Sequence, residues 1–175
     1  VIGLHCPALV YPNYQDWGFV KVSLDKTSFN TARTNLSSVD DPLLRSMLWQ
    51  SLWDSVENGD LSLKDYMGTV LINLPGERDL IILDQVLTSL SDTRVYLDKM
   101  EPSHQHYAKM AIRAIEQMSL RKVMVNTGNH DIQRRWLDTY IEFSRSNSAL
   151  NHIDSLLKQT ANIKGIKIDQ DLRWK

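Results

Sequence analysis

The 175-residue chain is 42% hydrophobic and 23% charged, with a formal net charge of −1 at pH 7. That is the make-up of an ordinary globular protein, large enough to bury a core without disulfides or metal. The near-neutral balance argues against a general nucleic-acid or anionic-membrane surface, and no apolar run approaches the roughly 20 residues of a membrane span.

The one cysteine, Cys6, cannot form an internal disulfide. This is compatible with the reducing cytoplasm, the compartment expected here. The first ten residues, VIGLHCPALV, carry no Met, no basic region and no small-residue cleavage site. They are read as the interior of a longer chain and not as a signal peptide.

Residues 1–24 form a short β segment in this reading. Ala8-Leu9-Val10-Tyr11 is β-prone, and Pro12 to Gly18 supplies turn residues. Val20, Val22 and Leu24 then alternate with Lys21 and Ser23, the period of a half-buried strand. Two strands are predicted, as a hairpin with a long loop, which must pack on the helices that follow or on another part of a longer protein.

From Asp25 onward the pattern is helical, up to the tail. Asp25 caps a first helix through about Leu36, with Phe29, Ala32, Arg33 and Leu36 along one side. Asp41-Pro42 opens the next, an N-cap carboxylate followed by proline at the first helical position. Leu44, Met47, Leu48, Leu52 and Val56 make its apolar stripe, and Asn58-Gly59 ends it. Ser62 begins a helix carrying Tyr66, Met67, Val70, Leu71 and Leu74, which stops at Pro75-Gly76. Another presents Leu80, Leu83, Val86, Leu87 and Leu90. Further helices are predicted over 92–100, 103–119, 130–145 and 148–160, with Asp92, Ser103 and Ser148 as caps. Residues 162–169 read as a loop with an extended segment.

Short helices joined by tight turns point to antiparallel pairs stacked side by side. No fixed repeat period is visible. The expected fold is mainly α, an irregular α-α superhelix of the HEAT or armadillo kind, preceded by the short β segment.

The residues offer little chemistry. His5, His104, His106, His130 and His152 contain no His-x-x-x-His pair, the spacing a helix needs to place two zinc ligands together. His104 and His106 lie two apart and point in different directions. His130-Asp131 follows Gly128-Asn129 and reads as a helix start. Cys6 beside His5 lacks an orienting third group, so it reads as a buried or incidental thiol. Arg121-Lys122 and Arg134-Arg135 are isolated basic pairs. No phosphate-cradling glycine loop or nucleophile elbow is present. Trp49 and Trp53 share a helix side, to line a groove or, more economically, to pack on neighbouring helices. Arg45 and Asp54 are read as fixing helix geometry, through an Arg–indole stack or an Arg–Asp pair. No catalytic, metal-binding or cofactor-binding residue is assigned, and substrate-binding positions stay open.

One pattern is more specific. Asp41-Pro42-Leu43-Leu44-Arg45, Leu48-Trp49, Leu52-Trp53-Asp54 and Gly59 together resemble the C-terminal helical domain of the aminopeptidase N family of zinc metallopeptidases. Tyr66, Val70-Leu71, Leu74, Glu77, Asp79 and Val86-Leu87 continue the resemblance. Leu9-Val10, Pro12-Asn13, Phe19 to Val22 and Leu24-Asp25 precede it, and Ile168 to Trp174 is similar to a late segment of bacterial members.

The resemblance implies a multidomain hydrolase that removes N-terminal residues from peptides. Its one zinc ion sits in a separate catalytic domain, on a His-Glu-x-x-His motif plus a downstream Glu. A Gly-x-Met-Glu-Asn motif there grips the substrate amino terminus. Neither motif occurs here, so no cofactor is expected in this chain. Residues 1–24 would then be the end of a preceding β-domain or the entry to the helical domain, and 25–175 would form a helical domain truncated at its C-terminus. The family's helical domain caps the active-site chamber. The implied partners are peptide substrates, through the full-length enzyme, and the catalytic and β domains of the same polypeptide, with neither nucleic acid nor membrane. Two alternatives stand beside this: a free-standing α-solenoid scaffold for protein–protein contact, and a small enzyme of another kind. Arg45, Trp49, Trp53 and Arg173 are the positions whose surroundings discriminate best.

Overall fold

The computed structural model describes residue 3 and residues 5–175. The start of the predicted β segment, Val1, Ile2 and Leu4, lies outside the described residues. The chain is mainly helical and divides into two compact units, residues 1–86 and 87–175. The α-helices are α1 (Lys26–Asn35), α2 (Pro42–Glu57), α3 (Leu63–Asn73), α4 (Leu80–Asp98), α5 (Gln105–Val125), α6 (His130–Phe143), α7 (Asn147–Leu157) and α8 (Gln170–Arg173).

The predicted β segment is corrected by the structure: no strand occurs among the described residues. A strand exists only when its backbone finds a ladder partner. Here the Ala8 carbonyl accepts from the Thr31 hydroxyl and the Val10 amide donates to Ser28 Oγ, so α1 side chains satisfy the backbone. The Val20 amide donates to the nearby Gly18 carbonyl. Of the alternating set, Val22 is buried, Leu24 is half-buried and Val20 is exposed.

Local signals did fix most helix ends. Asp25 accepts from the amides of Thr27 and Ser28, and Asp41 from those of Leu43 and Leu44. Ser62 accepts from the Asp65 amide while its hydroxyl donates to the Asp65 carboxylate. Gly59 takes φ +80° just past α2, a conformation glycine reaches without steric cost. Asp79 begins α4 by accepting from the Ile81 and Ile82 amides.

Three predicted caps are wrong. Asp92 lies exposed inside α4, which runs unbroken through the predicted break. Ser103 makes no cap and sits in a 3-10 turn, Pro102–His104, ahead of α5. Ser146, not Ser148, caps α7 by accepting from the Ala149 amide. In the tail, residues 162–169 form a loop without a strand, and Asp169 at its end caps α8.

In the first unit, Leu48, Trp49, Leu52, Tyr66, Met67, Val70, Leu74 and Leu83 are buried. Burying each large apolar side chain stabilises by about 1.5–3 kcal/mol. Asn73 staples α1 to α3 from inside: its amide nitrogen donates to the Arg33 and Thr69 carbonyls, and its oxygen accepts from the Ser37 amide.

In the second unit, Ile115, Met118, Val123, Trp136, Leu137, Tyr140 and Phe143 form the core. Links from Gln133 to Val123, and from Arg145 to Glu116, show that α5 and α6 run antiparallel. Arg134 meets Asp169 at 3.3 Å and Lys175 meets Asp138 at 2.7 Å, tying the C-terminal turn to α6.

Gln133 is fully buried, and its amide nitrogen donates to the Val123 and Lys164 carbonyls. Opposite it Gly165 has φ +86°, and a Cβ there would lie 2.7 Å from Gln133 Oε1. The amide cannot swing away without dropping both carbonyls. Gly165→Ala is therefore expected to lower stability by about 2 kcal/mol, read from urea unfolding. An unchanged midpoint would show that the loop relaxes freely.

Candidate functional site

The sequence-singled residues separate into a core group and a scattered group. Trp49 and Trp53 are both buried and pack against Tyr66, with ring centroids 6.4 and 5.3 Å away. They are packing residues of the α2–α3 core. Arg45 forms neither the Arg–indole stack nor the Arg–Asp pair: its partner is Glu77.

This pair is the best-built polar feature of the first unit. Arg45 Nε and Nη2 donate to the two Glu77 carboxylate oxygens at 3.0 and 3.2 Å. Arg45 Nη1 donates to the carbonyls of Val39 and Asp40. Glu77 Oε1 also accepts from the amides of Arg78 and Asp79. The Glu77 side chain is only 4% exposed and that of Arg45 14%. Two loops and the start of α2 are thus held by one bidentate pair, the geometry that makes arginine distinct from lysine. Asp54 accepts from Gln50 and lies 3.9 Å from Lys21. Arg173 is exposed at the end of α8.

The histidines stay apart. His5, His106 and His130 are exposed, His104 pairs with Ser103, and His152 Nδ1 lies 3.1 Å from the Tyr140 hydroxyl. Among the described residues no group of three or more His, Cys, Asp or Glu could hold a metal ion. The donors present here therefore do not fit a catalytic zinc. Cys6 is free and exposed, where burial had been one reading.

The second unit contains a cleft that the sequence did not reveal. Two adjoining hollows of about 430 and 600 Å³ share Arg113, Glu116 and Ser146. Lys109, Ile112 and Arg145 line the first, and Leu120, Tyr140 and His152 the second. At their junction Glu116 accepts from the Arg145 amide, the Ser146 amide and the Ser146 hydroxyl, at 3.0, 3.0 and 2.7 Å. Burial pushes its carboxyl up, but those donors and the Arg113 charge outweigh it, leaving the pKa below the ordinary value. Burial raises the Tyr140 phenol, and the Glu116 charge adds to this.

An ionised carboxylate with three donors is committed to holding the start of α7, so it is not a general acid or base. Tyr140 is held neutral beside His152. None of these side chains is paired as an activated nucleophile. Only one signal hinted at it. Glu116 occupies a core-facing position of α5, beside Ala108, Ala111, Ile115 and Ser119.

Fold and cleft together define an all-helical domain stiffened by buried polar clamps. Residues 9–175 match the ERAP1-like C-terminal domain, and the chain belongs to that family, as the C-terminal domain of an aminopeptidase N family protein. It is similar to Aminopeptidase N of Streptomyces lividans, with 25% identity over 178 residues. That alignment covers 99% of this chain but only 20% of the relative.

Proposed function

We propose that this chain is the helical lid of a zinc-dependent aminopeptidase that trims N-terminal residues from peptides, and that the lid itself performs no chemistry. The family match across residues 9–175 carries this reading. Zinc and its chemistry, polarising the scissile carbonyl and activating water, belong to another domain of the polypeptide. In this reading residues 1–24 lead in from a preceding β-domain, and residues from 25 onward build an irregular superhelical wall over the chamber. Such a wall excludes water and gates substrate access. The Arg45–Glu77 and Glu116–Ser146 clamps support this role, since a gate must keep its shape. A cytoplasmic location accords with a single cysteine that has no intrachain partner.

The test is a paired assay. The full-length polypeptide containing this sequence, loaded with zinc, is expected to hydrolyse an aminoacyl anilide. The 175-residue chain alone is expected neither to hydrolyse it nor to bind zinc stoichiometrically. Hydrolysis with stoichiometric zinc by the chain alone would overturn the proposal. So would a reading frame with no His-Glu-x-x-His upstream.

A further inference from the structure

A small hollow in the first unit lies where the start of α1 meets the end of α2. It holds about 260 Å³, and Leu24, Phe29, Leu52 and Leu61 line it together with Lys26 and Asp60. Pockets for drug-sized ligands run from about 300 Å³ upward. This one suits a molecule the size of a single amino acid.

Its charges are the informative feature. Lys26 and Asp60 are both exposed, and among the described residues neither forms an ion pair, with the other or with any third group. One cation and one anion thus border the same four apolar side chains without meeting. The Asp25 carboxylate does not compensate Lys26, because it is committed to the amides of Thr27 and Ser28 and to the Ser28 hydroxyl.

The backbone holds both charges in place. Gly59 turns the chain at φ +80°, and the amides of Asp60 and Leu61 both donate to the Ser55 carbonyl, at 2.8 and 2.9 Å. Lys26 is the first residue of α1, directly behind the Asp25 cap. The helix dipoles act in the same sense as the side chains: the start of α1 favours an anion and the end of α2 a cation.

A ligand that carries both charges and an apolar body complements all of these features. We propose that the hollow binds a free α-amino acid with an apolar side chain. Its carboxylate meets Lys26, its ammonium meets Asp60, and its side chain lies against Phe29 and Leu52. An aminopeptidase releases such a molecule at every turnover, so the site reports product to the lid. That role rests on the reading of the chain as an aminopeptidase lid; the binding chemistry does not.

Hydrogen–deuterium exchange of the full-length polypeptide, with and without L-leucine, tests the proposal. Leucine is expected to slow exchange of the amides in residues 23–29 and 55–61 at least about threefold. 4-Methylpentanoate lacks the ammonium and 3-methylbutylamine lacks the carboxylate, and both are expected to leave exchange unchanged. Lys26→Gln and Asp60→Asn are each expected to raise the leucine concentration needed by about fivefold, while anilide hydrolysis without added leucine stays the same. No protection in an enzyme that hydrolyses the anilide overturns the proposal and leaves the parent reading intact. Protection that a singly charged analogue reproduces, or that survives both substitutions, overturns it as well. Leucine protection in a polypeptide that hydrolyses no anilide upholds the site and overturns the parent reading.

Discussion

Glu77→Ala is expected to destabilise the first unit by about 3 kcal/mol, because it strands a largely buried guanidinium. The cost arises on both sides of the pair. Arg45 retains the Val39 and Asp40 carbonyls but loses both bonds to the carboxylate. The amides of Arg78 and Asp79 lose their shared acceptor just where α4 begins. For a chain of this size, each kcal/mol moves the thermal midpoint by about 2–4 °C. A fall of several degrees by calorimetry or circular dichroism is the expected result, and a shift within error would show that the pair contributes nothing net. Arg45→Lys tests geometry apart from charge: an ammonium cannot span both oxygens while reaching the two carbonyls. The double variant Arg45→Ala with Glu77→Ala is expected to cost less than the two single losses added, since neither partner is then left alone.

Glu116→Ala is expected to weaken the second unit by about 3 kcal/mol, since hydrogen bonds to a charged group are worth about 1.5–3 kcal/mol each. The three donors from Arg145 and Ser146 would lose their acceptor at the start of α7. Its pH signature separates this from simple loss of volume. The folded-state pKa is lowered, so the unfolded chain takes up the proton first. The contribution is therefore complete above the unfolded value, about 4.3, and is lost as pH falls through the folded value below it. Urea midpoints of the native protein should decline along that acid limb. Glu116→Gln, which has no charge to titrate, should show a flatter limb. Parallel acid limbs for the two proteins would refute an ionised clamp.

The two clamps also show what a sequence can and cannot reveal. Asp41-Pro42, Ser62 and Gly59 were legible because capping is local: the partner amides lie two or three residues away. Trp49 and Trp53 were legible as packing because their helix offers a covered flank to α3. Arg45 stood out as an unusual residue, yet its partner lies 32 positions on, and Glu116 lies 29 and 30 positions from its donors. Nothing in periodicity or spacing encodes such pairings. The false strand has the same origin. Alternation at Val20, Val22 and Leu24 reports a preference for extended backbone, but ladder partners come from elsewhere in the fold, and at the first predicted strand α1 side chains bond to Ala8 and Val10 instead. The break predicted at Asp92 failed for the opposite reason. Its carboxylate remains on the exposed face of α4, where it costs the helix little.

Cys6, of no chemical consequence in the domain itself, has a practical one. It is the sole thiol among 175 residues, and it is exposed in the first unit. A maleimide dye would attach there alone, next to a segment whose Ala8 carbonyl is held by Thr31. Its emission would report the melting of the first unit, while circular dichroism would report the helices of both. Comparing the two signals in a single denaturation run asks whether the halves unfold as one body or in turn.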